Sequence, residues 1–420
     1  MTNTPREQHA ATPPIEVQAR RGQPLGMSPA RFLADFWQKR PLLVRGAFPR
    51  WSAPLEPDDL AGLACEELAL ARIVIEHRAG GAKRHGASRW ELRTGPFAED
   101  DFATLPETRW TLLVQDVDKW DADVAALLRS FSFLPSWRVD DVMVSYAEDG
   151  GSVGAHVDQY DVFLVQGLGR RRWSISVDPG APLACRDDTE LKLLREFAPT
   201  HEWVLETGDM LYLPPGVPHH GVALGPCMTF SVGMRAPARA ELLADLADHL
   251  AAELPDDARY GDTDLAPARH PGEIDAAALA RVKASLPWLR FADEAGGITD
   301  EALRHWFGCF ITRYRSAHQA QPPARPPGAA AFARALASGA RVRRNPWSRV
   351  AWLRHDGAAW LFVAGEAHRA SLPLARLVAA NSEFELAGAA VDAVDEATLR
   401  ALLAAGHLAL LRRASSRRAT

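Results

Sequence analysis

The chain has 420 residues, 47% of them apolar, with 53 Asp and Glu against 48 Lys and Arg for a formal charge of −5. At roughly 150 residues per domain this length predicts two or three domains, and the near-balanced charge excludes a general polyanion binder. No 18-residue apolar run is present, so no membrane span is expected.

Residues 1–20 are polar, lack the apolar segment of a secretion signal, and are expected to be disordered in a cytoplasmic protein. MSPARFLADFWQKR (27–40) carries Phe32, Leu33 and Phe36 on one side and predicts a short amphipathic helix stopped by Pro41. LLVRGAF (42–48) reads as a strand. Strand-like runs then recur at 71–78, 110–117, 141–148, 160–167, 171–177, 209–214 and 228–235, punctuated by Gly, Pro and Asp. Many short strands between turn signals predict an all-β barrel or sandwich over 21–237, with a helical decoration at about 115–135.

The composition shifts near Pro237. ARAELLADLADHLAAEL (238–254) is Ala- and Leu-rich with helical spacing, and further helices are expected at 274–288 and 298–316, which makes 238–317 a helical region. HQAQPPARPPG (318–328) reads as a linker, because paired prolines fit neither helix nor sheet. Residues 329–413 follow with a helix at 329–338, a hairpin at 350–365 turning on Asp356-Gly357, and helices at LPLARLVAAN and DEATLRALLAAGHL. Helices plus a hairpin predict a winged-helix module, ahead of a basic tail at 414–420 that is expected to be solvated. Cys65, Cys185, Cys227 and Cys309 are scattered and form no CxxC pair, which argues against a disulfide framework or structural zinc.

The segment that carries chemistry is GGSVGAHVDQYDVFLVQGLGRRRWSI (150–175). His156 and Asp158 stand two apart, so on a strand both face one side and reach one metal ion. LYLPPGVPHHG (211–221) offers a later imidazole from His219 or His220; adjacent residues on an extended chain face opposite ways, so one of them points in. Two imidazoles and one carboxylate form the facial set of non-haem iron(II) oxygenases, which leaves positions for a bidentate co-substrate and dioxygen. In the run Arg170-Arg171-Arg172, alternation turns Arg171 opposite to its neighbours. One inward guanidinium suits the far carboxylate of 2-oxoglutarate, with the Ser145 hydroxyl from the preceding strand beside it.

These residues resemble the JmjC-type ribosomal oxygenases, whose bacterial members include protein-arginine hydroxylases acting on a large-subunit ribosomal protein. The resemblance rests on FWQKRPLLVRGAF (36–48), DDVMVSY (140–146), HVDQYDVFLVQGLGRRRW (156–173), GDMLYLPPGVPHHG (208–221) and SVGMRAP (231–237), and spans most of residues 30–237. It implies a mainly β plus α chain: a double-stranded β-helix of cupin/JmjC type, a helical dimerisation region and a C-terminal winged helix. It implies iron(II) at His156, Asp158 and His219, the imidazole directly after Pro218. It implies 2-oxoglutarate held by Arg171 and Ser145, dioxygen as the oxidant, and a substrate arginine near Asp141 and Ser231. An acid there suits a guanidinium entering a dry pocket. His220 departs from the pattern, which has an acidic residue after the distal ligand; this bears on the pocket rim and not on the ligand set.

The expected activity is therefore hydroxylation of an arginine β-carbon in a ribosomal protein by a homodimer. Hydroxylation of His or Asn in another ribosomal protein, or demethylation, stands as the alternative. A non-catalytic module binding nucleic acid or the ribosome through RVRRNPWSR (341–349) and the basic tail is a second alternative, although direct nucleic-acid binding is not expected.

Overall fold

A computed structural model of the chain describes residues 15–77, 89–255, 258–263, 265, 276–285, 299–313, 319–386 and 391–411. The chain divides into two compact units, Met1–Ala236 and Pro237–Thr420.

The first unit contains twelve strands among the described residues: β1 (Glu16–Gln18), β2 (Leu42–Arg45), β3 (Ala71–Glu76), β4 (Trp90–Thr94), β5 (Trp110–Val114), β6 (Val139–Ala147), β7 (Val162–Leu168), β8 (Arg171–Ile175), β9 (His201–Leu205), β10 (Met210–Leu213), β11 (His219–Ala223) and β12 (Cys227–Met234). A nine-stranded sheet runs β1-β2-β10-β7-β12-β6-β5-β3-β4, and a three-stranded sheet runs β11-β8-β9. His156 and His219 form an isolated antiparallel bridge, which adds a short extra strand segment beside β11. This is the double-stranded β-helix.

Strand alternation assigns the two faces of the large sheet. Leu112, Val142, Val144, Phe163, Val165, Phe230 and Val232 pack with Phe32, Phe36, Leu60 and Phe131 from the covering helices. The opposite residues, Leu43, Val162, Leu164 and Leu211, pack with Trp173, Ile175 and Leu205 of the small sheet. Each buried Phe or Leu of this kind contributes about 1.5–3 kcal/mol. Two glycines permit the closure. Gly169 turns β7 into β8 at φ +62°, where a Cβ would lie 2.2 Å from the Pro226 carbonyl oxygen. Gly221 lies under the Trp173 ring, with ring atoms 2.8 Å from where its Cβ would be.

Two local expectations are corrected. Residues 16–18 are not disordered: Val17 and its neighbours pair in parallel with Leu43–Arg45, and Trp203 donates to Glu16 Oε2 at 3.1 Å. Residues 1–14 of that expectation lie outside the described residues. The first helix covers only Pro29–Asp35, capped by Ser28, because Gln38 takes φ +56° and its amide donates to the Tyr212 hydroxyl at 2.8 Å.

The second unit contains helices Arg239–Ala252, Ala276–Ala284, Asp300–Thr312, Ala329–Ala337, Leu372–Ala380 and Ala393–Ala404. Its strands are β13 (Arg341–Arg344), β14 (Val350–His355), β15 (Ala358–Val363), β16 (Glu366–Ala370), β17 (Glu383–Glu385) and β18 (Leu408–Leu410). They form the sheets β17-β13-β18 and β14-β15-β16. Asp356 (φ +45°) and Gly357 (φ +76°) are both left-handed and join β14 to β15 by a two-residue turn, as their sequence predicts. Phe332, Val342, Leu361, Val378, Leu399 and Leu402 centre the core. The boundary expected at the Pro-rich linker differs in the structure. Helix Asp300–Thr312 packs on the β14–β15–β16 sheet, with Gly308 against the Phe362 ring and Thr312 Oγ1 accepting from the Gly365 amide at 3.1 Å. It also meets helix Arg239–Ala252, where Trp306 Nε1 donates to Asp245 Oδ1 at 2.9 Å, and so joins the helical region to the winged helix. The tail 414–420 lies outside the described residues, and no described helix is long and apolar enough to cross a membrane.

Candidate active site

His156 and His219 meet through a reciprocal backbone pair, each amide donating to the other's carbonyl at 3.0 Å. Asp158 follows two residues after His156 on the same side, and its carbonyl accepts from the Gly216 amide of the Pro-Pro-Gly turn at 2.9 Å. One ligand atom from each of the three residues lies within 4.8 Å of the others. His219 Nε2 is 3.6 Å from Asp158 Oδ2, beyond hydrogen-bond distance, and the two imidazoles cross at 4.2 Å between centroids.

The tautomers follow from the second ring nitrogens. His156 Nδ1 faces the Gly154 carbonyl and His219 Nδ1 the Val217 carbonyl, both at 2.9 Å. A carbonyl only accepts, so each Nδ1 carries the hydrogen and each Nε2 presents a lone pair to the centre. Burial first, and then the neighbouring His156, hold the His219 imidazole well below its ordinary range and thus neutral. A neutral imidazole is the form that binds a metal, so these residues fit iron(II) in the facial set. His220 faces the other way. Its ring stands edge-on to Phe197 at 6.1 Å, and burial lowers its pKa to about 4.

The donors open on a cavity of about 200 Å³ between the two sheets. Asp141, Met143 and Ser145 point into it at every second position of β6, opposite Gly233, Ser231 and Thr229 of β12. Four residues of strand rise set Asp141 and Ser145 about 13 Å apart, so the cavity has two chemically distinct ends.

At one end lies Arg171, only 4% exposed. Its Nη1 donates to Ser145 Oγ at 3.3 Å and Thr229 Oγ1 at 3.2 Å, and its guanidinium sits 5.6 Å from the Trp173 ring centre. No carboxylate of the described residues pairs with it, its Nε has no protein partner, and burial lowers its pKa. Arg172, by contrast, faces Glu202. A buried, uncompensated cation is costly and calls for an anionic ligand, which fits the far carboxylate of a 2-oxo diacid.

At the other end, the β6–β12 register slips: Asp141 pairs with Gly233 and Val139 with Met234, which leaves Asp140 as an extra residue. This bulge aims Asp141 into the cavity. Its Oδ2 accepts from the Asp116 amide at 3.1 Å, and its Oδ1 stands where a Cβ on Gly233 would be only 3.1 Å away. Burial, then the carboxylates of Asp116, Asp118 and Asp140, push Asp141 up to about 7. A permanent cation is the partner that relieves this. Ser231 lines the same stretch, and Tyr160 stands at the mouth, 42% exposed.

The structure thus brings all seven sequence-predicted residues (His156, Asp158, His219, Arg171, Ser145, Asp141 and Ser231) to one cavity. Sequence reasoning missed Thr229, although period-two alternation with Ser231 marks it, and missed Thr111 on β5. It also missed Asp161, the last residue of the HVDQYD run. Asp161 is fully buried and accepts from the Tyr212 hydroxyl at 2.6 Å, Gln38 Nε2 at 3.0 Å and Arg138 Nη2 at 3.2 Å. That network fixes the entry to β7 behind the ligand segment.

Comparison with known proteins gives the family. A JmjC domain model matches residues 126–242, a ROXA-like winged-helix model matches 291–409, and an AraC-like ligand binding domain model matches 200–326. The ribosomal protein uL16 3-hydroxylase of Escherichia coli is 38% identical over 295 residues, 70% of this chain and 74% of that protein. A probable ribosomal oxygenase of Haemophilus influenzae is 37% identical over 234 residues, 56% of each chain. The structure of the Escherichia coli ribosomal oxygenase YcfD with cobalt and 2-oxoglutarate superposes with a TM-score of 0.74 at 34% identity, covering 92% of this chain and 99% of that one. With a shared fold, winged helix and sequence over this extent, the chain belongs to the JmjC ribosomal oxygenase family.

Proposed function

We propose that this chain is an iron(II)- and 2-oxoglutarate-dependent hydroxylase that adds a hydroxyl to the β-carbon of an arginine in ribosomal protein uL16. The observation that carries the reading is a single cavity with an unpaired buried guanidinium at one end, a half-buried carboxyl at the other, and the His156–Asp158–His219 donors facing it. His156, Asp158 and His219 would hold iron(II), which with 2-oxoglutarate as co-substrate would supply the oxidising chemistry for a C–H bond, the co-substrate leaving as succinate and carbon dioxide.

The protein's own part is positional. The Gly154 and Val217 carbonyls lock both imidazoles in the metal-ready tautomer. Arg171 and Ser145 bind the distal carboxylate of 2-oxoglutarate and so orient its 2-oxo end toward the donors. Asp141 and Ser231 bind the substrate guanidinium, which places the β-carbon short of them, toward the donors. Leu113, Val162, Leu164 and Trp173 line the walls and exclude water. Histidine or asparagine as substrate leaves Asp141 without a permanent cation, so the acid favours arginine.

A homodimer is part of the proposal. Helix Arg239–Ala252 buries none of its residues, and Leu243 is 66% exposed; Leu279 and Val282 of helix Ala276–Ala284 are exposed as well. A second copy would cover such an apolar surface. Light scattering should return a dimer mass, and a monomer mass at micromolar concentration would overturn that part. The cytoplasm, where ribosomal proteins are made, is the expected compartment.

The test is to incubate uL16 with the chain, iron(II) and 2-oxoglutarate in air. Succinate release stimulated by uL16, with one oxygen added to uL16, is expected. Stimulation by another protein instead would overturn the substrate; no 2-oxoglutarate turnover under any condition would overturn the enzyme.

A further inference from the structure

Thr111 is fully buried on β5, and its side chain lines the same cavity. The register places it. On β5, Leu113 lies opposite Ser145 and Thr111 opposite Ala147; on β12, Thr229 lies opposite Ser145 and Cys227 opposite Ala147. Thr111 therefore stands one row past Ser145 and Thr229, at the closed Arg171 end. Its hydroxyl has no protein partner, and neither has Arg171 Nε.

A buried hydroxyl without a partner is a net cost that a valine of the same shape would avoid. The hydrogen-bond inventory of this end shows what would satisfy it. Ser145 and Thr229 already accept from Arg171 Nη1, and the Thr229 hydroxyl donates to Gln166 Oε1 at 3.2 Å. The Arg171 Nε, Thr111 and Ser145 hydrogens are left to donate. They need an acceptor with several lone pairs, and a carboxylate offers about four.

We propose that the Thr111 hydroxyl is a further binding group for the distal carboxylate of the 2-oxo acid, completing a clamp with Arg171 and Ser145. This rests on the oxygenase reading above and assigns one more residue to it. Thr111 sets selectivity for a five-carbon diacid over 2-oxo acids that end in a methyl group.

The test compares wild type with Thr111→Val and Thr111→Ser in manganese-loaded protein, by calorimetric titration with 2-oxoglutarate and with 2-oxopentanoate, which lacks the distal carboxylate. Loss of a hydrogen bond to a charged group should weaken 2-oxoglutarate binding on the order of tenfold in Thr111→Val. Thr111→Ser should stay near wild type, and 2-oxopentanoate should not distinguish the variants. Without ligand, Thr111→Val should melt at or above the wild-type temperature, since it removes an orphaned hydroxyl, and it should gain less from added 2-oxoglutarate. Unchanged 2-oxoglutarate affinity in Thr111→Val, or an equal loss for both acids, overturns the assignment alone. Failure of the wild type to bind 2-oxoglutarate overturns the oxygenase reading, and this assignment with it.

Discussion

Replacing Asp141 by Asn should stabilise the metal-free protein above neutral pH while weakening substrate binding. The folded-state value of about 7 stands above the ordinary 3.8, so between those pH values the folded chain holds a proton that the unfolded chain has released. Wild-type stability therefore falls as pH rises through this window, and the full penalty is present above about 7. At ~1.4 kcal/mol per pH unit the shift bounds the penalty at about 4 kcal/mol. Asp141 lines an open cavity and is only partly buried, so solvent screening reduces the expected gain to about 1–2 kcal/mol. Asn keeps an oxygen for the Asp116 amide and carries no charge. The assay is urea denaturation of both proteins, free of metal and 2-oxoglutarate, at pH 4.5 and pH 8. Near-equal midpoints at the lower pH and a higher midpoint for Asp141→Asn at pH 8 are expected. A variant that is equally or less stable at pH 8 would refute the idea that burial beside Asp116, Asp118 and Asp140 strains this carboxyl. With metal and substrate present, kcat/KM for the arginine substrate should rise with pH through about 7 in wild type, as Asp141 ionises. That rise should disappear in Asp141→Asn, together with roughly ten- to hundredfold of substrate affinity, the worth of a hydrogen bond to a charged group.

Arg171→Met should abolish measurable 2-oxoglutarate binding in calorimetry yet leave the ligand-free melting temperature equal or higher, because an unpaired buried cation is replaced by an apolar chain. Gly233→Ala puts a Cβ 3.1 Å from Asp141 Oδ1. It should raise KM for the protein substrate several-fold and leave substrate-independent 2-oxoglutarate turnover unchanged; a fall in that basal turnover would count against a positioning role. Asp161→Ala leaves Arg138 facing an emptied, fully enclosed site and should cost about 3–5 kcal/mol by chemical denaturation.

The residues around the metal donors were legible because strand periodicity is a local property. His156 and Asp158 at i and i+2, Arg171 between two outward arginines, and the series Asp141–Ser145 all follow from period-two alternation. The choice between His219 and His220 was not local. It depends on which face of β11 bridges His156, and the sequence alone needed a family pattern to make it. Thr111 and Thr229 read as ordinary strand threonines until the fold shows what their hydroxyls lack or contact. Asp161 was unreadable for a related reason, since its partners at 38, 138 and 212 come from three distant segments. The edge strands β1 and β4 were missed because one apolar face among charged residues gives a weak pattern. The contacts of helix Asp300–Thr312 with the β14–β15–β16 sheet were not legible either, because the Pro-rich stretch marks a break in composition but not a break in packing.

The most direct measurement is residue-level mass spectrometry of uL16 from ribosomes of cells that have this chain, cells that lack it, and cells carrying His156→Ala. One oxygen on the side chain of a single arginine, present only with the wild-type chain, is the predicted result. An unmodified uL16 in wild-type cells, an oxygen on another residue type, or an oxygen that persists with His156→Ala would contradict the account.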